Sequence, residues 1–249
     1  MQTNDVGVKA VAIVTGGSRG IGREIALRLA ADGFNVAIGF ANDKEGAEAT
    51  VKEIQRKGVR GIAIQGDVSS PTDVEFLFNA VASALGDIRV VVSNAGVMST
   101  ARIAAQSIQA FDQMVSVNLR GTFLVLAKAA ERLSDGGRII ALSTSALAKS
   151  MPGYGPYVAT KAGVEALVHV LANELRGKGI VVNAVAPGPV ATELFYKGKS
   201  EEQVRALAAM SPLERLGQPN DIADVVSFLA SPQGGWVHSQ VVRVNGGFA

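Results

Sequence analysis

Tyr157 and Lys161 stand four residues apart in Tyr157-Val158-Ala159-Thr160-Lys161, a spacing that puts a phenol and an ammonium on one helix face about one turn apart. A phenol has a reference pKa of about 10, and a nearby cation favours its anionic form, so the pair suits general acid/base chemistry. Two other stretches suit a shared site. Ser143-Thr144-Ser145 offers three hydroxyls, and Gly16-Gly17-Ser18-Arg19-Gly20-Ile21-Gly22 offers a glycine-rich turn. Glycines let backbone approach a pyrophosphate closely, and a helix N-terminus supplies unpaired N–H donors and a favourable dipole.

That reading needs a strand before the glycines and a helix after them. Residues 8–15 form an apolar, β-branched run suited to a strand buried on both faces, and Ile21, Ile25, Leu29 and Ala30 keep helical spacing beyond it. Further strands are expected at 35–40, 61–65, 88–93, 138–142, 180–185 and 240–244. Helices are expected at 45–57, 71–85, 112–133, from Tyr157 to about residue 176, 201–210 and 221–229. Alternation of this kind predicts an α/β, doubly wound Rossmann-type parallel sheet of about seven strands with helices on both faces, its ligands gathered at the carboxyl ends of the strands. Thr15, Asp67, Asn94 and the hydroxyl run fall at those ends. Pro187-Gly188-Pro189 is read as breaking the sixth strand, and residues of about 190–212 as a substrate lid. No repeat or linker divides the chain, so residues 1–249 are read as a single domain.

Composition narrows the classes. The 249 residues are 48% hydrophobic, enough for a large core, and 24 Lys and Arg against 22 Asp and Glu leave a formal charge of +2 with no basic block that would track a nucleic acid. The absence of Cys excludes thiolate chemistry, and two histidines, His169 and His238, make a histidine-rich metal centre implausible, so no metal is expected. The polar start and the short apolar run after Lys9 do not read as a signal peptide or membrane span; a cytoplasmic protein is expected.

In order and spacing, Thr15 to Gly22, Asn94-Ala95-Gly96, Asn118, the hydroxyls at 143–145, Tyr157 to Lys161 and Pro187-Gly188 resemble the short-chain dehydrogenase/reductase family over essentially the whole chain. The resemblance implies hydride transfer between a nicotinamide cofactor and a carbonyl or alcohol. By similarity, Tyr157 protonates the nascent alkoxide, Lys161 lowers the phenol pKa and binds the nicotinamide ribose, a hydroxyl of the fifth strand holds the substrate oxygen, and Asn118 supports Lys161 through a water and a proton relay. An Asn inside an apolar helix also has a plainer role, satisfying a neighbouring backbone group. The family's catalytic Ser lies about thirteen residues before its Tyr, which lands on Thr144; a one-residue shift brings in Ser145, the slightly preferred choice because the loop before Pro152 tolerates such a shift.

For the cofactor, the turn residues Gly16, Ser18, Arg19, Gly20, Ile21 and Gly22 are assigned to the phosphates, with Phe40 and Asn42 at the end of the second strand. By the same resemblance Asp67 and Val68 are expected to flank the adenine, with a turn or N-cap role open for Asp67. Asn94, Ala95 and Gly96 are expected to line the ribose and nicotinamide, joined by Tyr157 and Lys161, and Pro187, Gly188, Val190 and Thr192 to meet the nicotinamide amide. The second strand ends without the acid that repels a 2′-phosphate, and Arg19 is well placed to meet one, so NADP(H) is expected.

Three functions stand open: NADPH-dependent reduction of a ketone, with a 3-oxoacyl thioester among the substrates because the ending at Val244-Asn245-Gly246-Gly247 resembles 3-oxoacyl-(acyl-carrier-protein) reductases; a dehydrogenase of small polyols; and a redox-sensing regulator without turnover. The resemblance also implies a homotetramer, with residues 112–133 and 154–176 packed across one interface and the C-terminal strand near another.

Overall fold

The protein is described from a computed structural model covering residues 9–249, so Val8 of the first expected strand lies outside the described residues. Seven strands form one parallel sheet in the order β3-β2-β1-β4-β5-β6-β7: β1 (Val11–Thr15), β2 (Asn35–Phe40), β3 (Gly61–Gln65), β4 (Ile88–Ser93), β5 (Arg138–Leu142), β6 (Val181–Pro187) and β7 (Val241–Val244). Side chains of a strand alternate between faces, so Ala12 and Val14 join one apolar cluster while Val11 and Ile13 join the other. The first cluster lies beneath α1 (Gly20–Ala31), α2 (Lys44–Arg56) and α9 (Pro219–Ala230). The second lies beneath α3 (Pro71–Leu85), α5 (Thr122–Arg132) and α6 (Gly155–Glu174). Burial on both faces explains why β1, β2 and the middle of β4 read as unbroken apolar runs.

The strand order reverses between β1 and β4, and this switch point opens the crevice that an open α/β sheet uses for ligands. The expected strands at 35–40, 61–65, 88–93 and 138–142 coincide with β2 to β5. β6 ends at Pro187, the first residue of Pro187-Gly188-Pro189, as expected; Pro187 is its last paired residue, opposite Val244 of β7, and Gly188 N–H donates to the Val244 carbonyl at 2.9 Å.

The helix expected at 112–133 begins earlier and is not uniform. It comprises α4 (Ile108–Met114), a π-helical segment (Val115–Gly121) and α5, and the widened turn contains Asn118. Such segments depart from i→i−4 pairing and recur at functional sites. The lid region folds as two helices, α7 (Glu193–Tyr196) and α8 (Glu201–Ala209). Thr192 caps the first by accepting from Phe195 N–H at 3.2 Å, and Ser200 and Gln203 form a reciprocal cap on the second. Among the described residues no helix is long and apolar enough to cross a membrane.

Candidate active site

A cleft of about 790 Å³ runs along the carboxyl ends of the strands at the switch point. Its floor starts at the glycine turn. Gly16 has φ +68°, in the left-handed region that favours glycine, and a Cβ added at Gly22 would lie 2.2 Å from the Gly16 carbonyl oxygen. The turn therefore closes only with glycine at both points. Asn94 ties it down: its Nδ2 donates to the carbonyls of Thr15 and Gly16 at 2.9 and 3.1 Å, while the Asn94 and Ala95 amides donate to Thr15 Oγ1 at 3.0 and 3.1 Å. These bonds join the ends of β1 and β4 into one rigid base for the cleft.

Every residue assigned above to the cofactor lines this cleft, from Gly16, Ser18, Arg19, Gly20, Ile21 and Gly22 through Phe40, Asn42, Asp67, Val68, Asn94, Ala95 and Gly96 to Pro187, Gly188, Val190 and Thr192, together with Tyr157 and Lys161. The donor set suits a dinucleotide, with bare backbone at the glycine turn for phosphates and polar groups along the rest of the groove. Asp67 takes the turn role: its Oδ1 accepts from Ser69 N–H at 2.8 Å, and the cap of α3 is Ser70. Arg19 stands at the rim with a side chain 67% exposed, 3.5 Å from the Glu193 carboxylate of the lid.

Two expected catalytic residues lie outside the cleft. Ser145 is fully buried; its hydroxyl donates to the Ala186 carbonyl at 2.7 Å and accepts from Asn245 Nδ2 at 3.0 Å, so it holds β5 against β6 and the C-terminal segment. The preference for Ser145 is therefore corrected: of the two candidates Thr144 lines the cleft, beside Ser143, and Ser145 does not. Asn118 is also fully buried. Its Oδ1 accepts from Val97 N–H and its Nδ2 donates to the Val97 carbonyl, both at 2.8 Å, with Thr160 Oγ1 at 3.3 Å. The backbone-satisfying role is therefore present in the side-chain contacts. It still stands behind the site, since a Cβ added at Gly96 would lie 3.3 Å from Asn118 Oδ1 and 3.6 Å from Lys161 Nζ.

Tyr157 and Lys161 share the cleft wall. Lys161 Nζ is buried and donates to the Leu142 carbonyl at 2.7 Å, and burial pulls its pKa down to about 8. Burial also pushes the Tyr157 phenol up to about 12; the Thr144 hydroxyl pulls the other way, and the neighbouring Tyr154 adds to the rise. A carbonyl holds the ammonium, and desolvation is the largest cause of both shifts.

Several lining residues carried no signal in the sequence. Gln113 and Val117 reach the cleft from α4 and the π segment, and Phe248 from the C-terminal stretch. Met151, Tyr154 and Lys199 come from the loop before α6 and from the lid. Apolar residues at helical spacing look like core until the fold shows which face borders a cavity. Tyr154, three residues before Tyr157, is the one that chemistry alone had reason to flag.

Comparison with known proteins follows the same geometry. A family model described as enoyl-(acyl carrier protein) reductase matches residues 16–249. The chain is 47% identical over 247 residues to a short-chain type dehydrogenase/reductase of Picea abies, covering 95% of this chain and 91% of that one. It is 44% identical over 252 residues to an NADPH-dependent aldehyde reductase-like protein of Arabidopsis thaliana, described as chloroplastic, covering 96% and 93%. It is 42% identical over 238 residues to a 3-oxoacyl-[acyl-carrier-protein] reductase of Staphylococcus aureus, covering 95% and 96%. Among solved structures, a short-chain dehydrogenase of Burkholderia cenocepacia in complex with NADP superposes with a TM-score of 0.91 at 33% identity, covering 98% of this chain and 99% of that one.

Proposed function

The chain belongs to the short-chain dehydrogenase/reductase family, and from that membership we propose that it is an NADPH-dependent reductase converting a ketone or aldehyde to the alcohol. The observation that carries this reading is the placement of the Thr144 and Tyr157 hydroxyls in one cleft with the glycine turn. NADPH, when bound, supplies the hydride to the carbonyl carbon. Thr144 donates a hydrogen bond to the carbonyl oxygen, and Tyr157 gives its proton to that oxygen as charge develops there. Both donors stabilise the transition state more than the neutral carbonyl.

An alkoxide is a far stronger base than a phenolate, so proton transfer from Tyr157 to the nascent alkoxide runs downhill even with the phenol pushed up to about 12. Lys161 spends one of its three donors on Leu142 and keeps two for the nicotinamide ribose. Asn118 acts as a positioning residue that pins Val97 behind Gly96.

NADP(H) as cofactor is supported by the relatives named for NADPH or solved with NADP, and by Arg19 at the rim of the turn. The aldehyde reductase-like and 3-oxoacyl reductase relatives make aldehydes, ketones and 3-oxoacyl thioesters the substrates to try. The reading also includes a homotetramer, supported by exposed Phe123 and Val170 on the two helices expected at an interface, and a cytoplasmic location, tested by fractionating the native host.

A panel of these carbonyls, followed by NADPH consumption with the parent and Tyr157→Phe, tests the function. Turnover by the parent and its loss in the variant are expected; NADPH binding by the parent without turnover of any carbonyl overturns the reading in favour of a sensor.

A further inference from the structure

Lys199 is a cation in the cleft with no carboxylate in ion-pair contact among the described residues. It follows α7 in the lid and is half-buried; its Nζ donates to the Phe195 carbonyl at 2.6 Å and stands 4.8 Å from the centroid of the Phe195 ring. Burial pulls its pKa below the ordinary lysine value. Phe195, whose ring the ammonium faces, lines the cleft with Leu194 and Leu207 of the lid.

The other charged groups of the cleft are accounted for differently. Arg19 faces Glu193 at 3.5 Å at the glycine-turn end, and Lys161 is held at Leu142 beside the proposed catalytic hydroxyls. Asp43 caps α2 by accepting from Gly46 N–H, and Asp67 is engaged in its turn. Among the described charged residues that line the cleft, Lys199 is the one that combines partial burial with contacts to a carbonyl and a ring. An ammonium losing water without gaining a carboxylate is destabilised, and an anionic ligand group arriving there relieves that penalty.

We infer that the substrate is a carbonyl compound bearing an anionic group, a carboxylate or phosphate remote from the reacting carbon, and that Lys199 is the residue that selects it. This rests on the carbonyl-reductase reading above, because Thr144 and Tyr157 must hold the carbonyl end while Lys199 holds the anion. An ammonium is a point donor with no preference for a planar fork, so both anion types fit its chemistry. The same carbonyl skeleton carrying a carboxylate, a phosphate monoester or a neutral ester in that position separates them.

The test is the ratio of kcat/KM for the anionic and neutral members of such a matched series, in the parent, Lys199→Met and Lys199→Arg. In the parent the anionic member is favoured, with the preference shrinking as salt is raised. In Lys199→Met the ratio drops about tenfold or more, chiefly through KM, as expected for the loss of one partly desolvated charge contact. Lys199→Arg keeps most of the preference. Equal losses on charged and neutral substrates in Lys199→Met mean that the residue only caps the lid helix, and overturn the inference. So does a parent that reduces the neutral member as well as the anionic ones. A parent that reduces no member of the series, nor any simple carbonyl, removes the reductase reading itself, and the inference with it.

Discussion

Lys161 Nζ donates to the Leu142 carbonyl at 2.7 Å, which ties the ammonium of α6 to the carboxyl end of β5. Burial acts on Lys161 and Tyr157 in opposite directions, pulling the first down to about 8 and pushing the second up to about 12. At neutral pH the cofactor-free protein keeps a phenol that holds its proton and an ammonium that is ready to lose one.

This sets a pH dependence of stability in the cofactor-free protein. Lys161 titrates near 8 when folded against an ordinary value of 10.5, so between those values the unfolded chain binds more protons and folding is increasingly favoured as pH rises. Above about pH 10 Tyr157 opposes the trend, since it keeps its proton where an unfolded tyrosine ionises. From pH 8 to 10 the parent should gain on the order of 2 kcal/mol relative to Lys161→Met. Denaturant unfolding of both proteins at several pH values measures it; parallel curves for the two would show that Lys161 is solvated and titrates normally.

Thr144 and Ser145 should separate by phenotype. Thr144→Val removes the hydroxyl that lines the cleft, and kcat should drop by about 10²–10³, the range for losing one aligned oxyanion donor, with little change in melting. Ser145→Ala leaves the Asn245 amide and the Ala186 carbonyl without their shared partner and should destabilise by about 1–3 kcal/mol, with a smaller effect on turnover. Thermal unfolding paired with steady-state kinetics gives both values. A reversed pattern would return the catalytic role to Ser145.

The alternation of strands and helices was legible because a doubly wound parallel sheet writes itself as apolar runs with fixed spacing. All seven strands follow from pattern, β2 to β5 with the expected bounds and β1, β6 and β7 with ends shifted by a few residues. What pattern missed depended on partners distant in sequence. β6 runs on to Pro187 opposite Val244 of β7, and Asn118 lies in a π segment whose widened turn leaves no mark in residue type. The choice between Thr144 and Ser145 turns on a single residue beyond the end of β5, where Thr144 meets the cleft and Ser145 bonds to Ala186 and Asn245. The glycine turn was the most readable part of the site, since Gly16 and Gly22 are required by backbone geometry rather than by a neighbour's chemistry.

Arg19 makes the cofactor choice testable. Its long, exposed contact with Glu193 is of the kind that contributes little to stability, so Arg19→Ala should leave melting of the cofactor-free protein within about 0.5 kcal/mol of the parent. The same variant should raise the NADPH KM by about tenfold or more and change kcat little, because a phosphate dianion loses a charge-assisted donor. NADH, lacking that phosphate, should be a poor substrate for the parent and no poorer for the variant. Unchanged NADPH KM would place the 2′-phosphate away from Arg19.

Trp236, the single tryptophan, is 98% exposed in the isolated chain and lies shortly before β7. A fully solvated indole is costly surface unless another molecule covers it. Phe228 is exposed on α9 nearby in sequence, and Phe123 and Val170 are exposed on α5 and α6. A tetramer built on both regions should give blue-shifted Trp236 emission in the parent and a solution mass of four chains. Phe123→Asp combined with Val170→Asp should break only the helix-mediated contact, leaving a dimer whose emission stays blue. Trp236→Ala should leave the dimer that the helices hold together. Sedimentation of the parent and both variants measures the masses. A monomeric parent with red-shifted emission would sink the assembly and leave Trp236 as a solvent-facing residue of a one-chain enzyme.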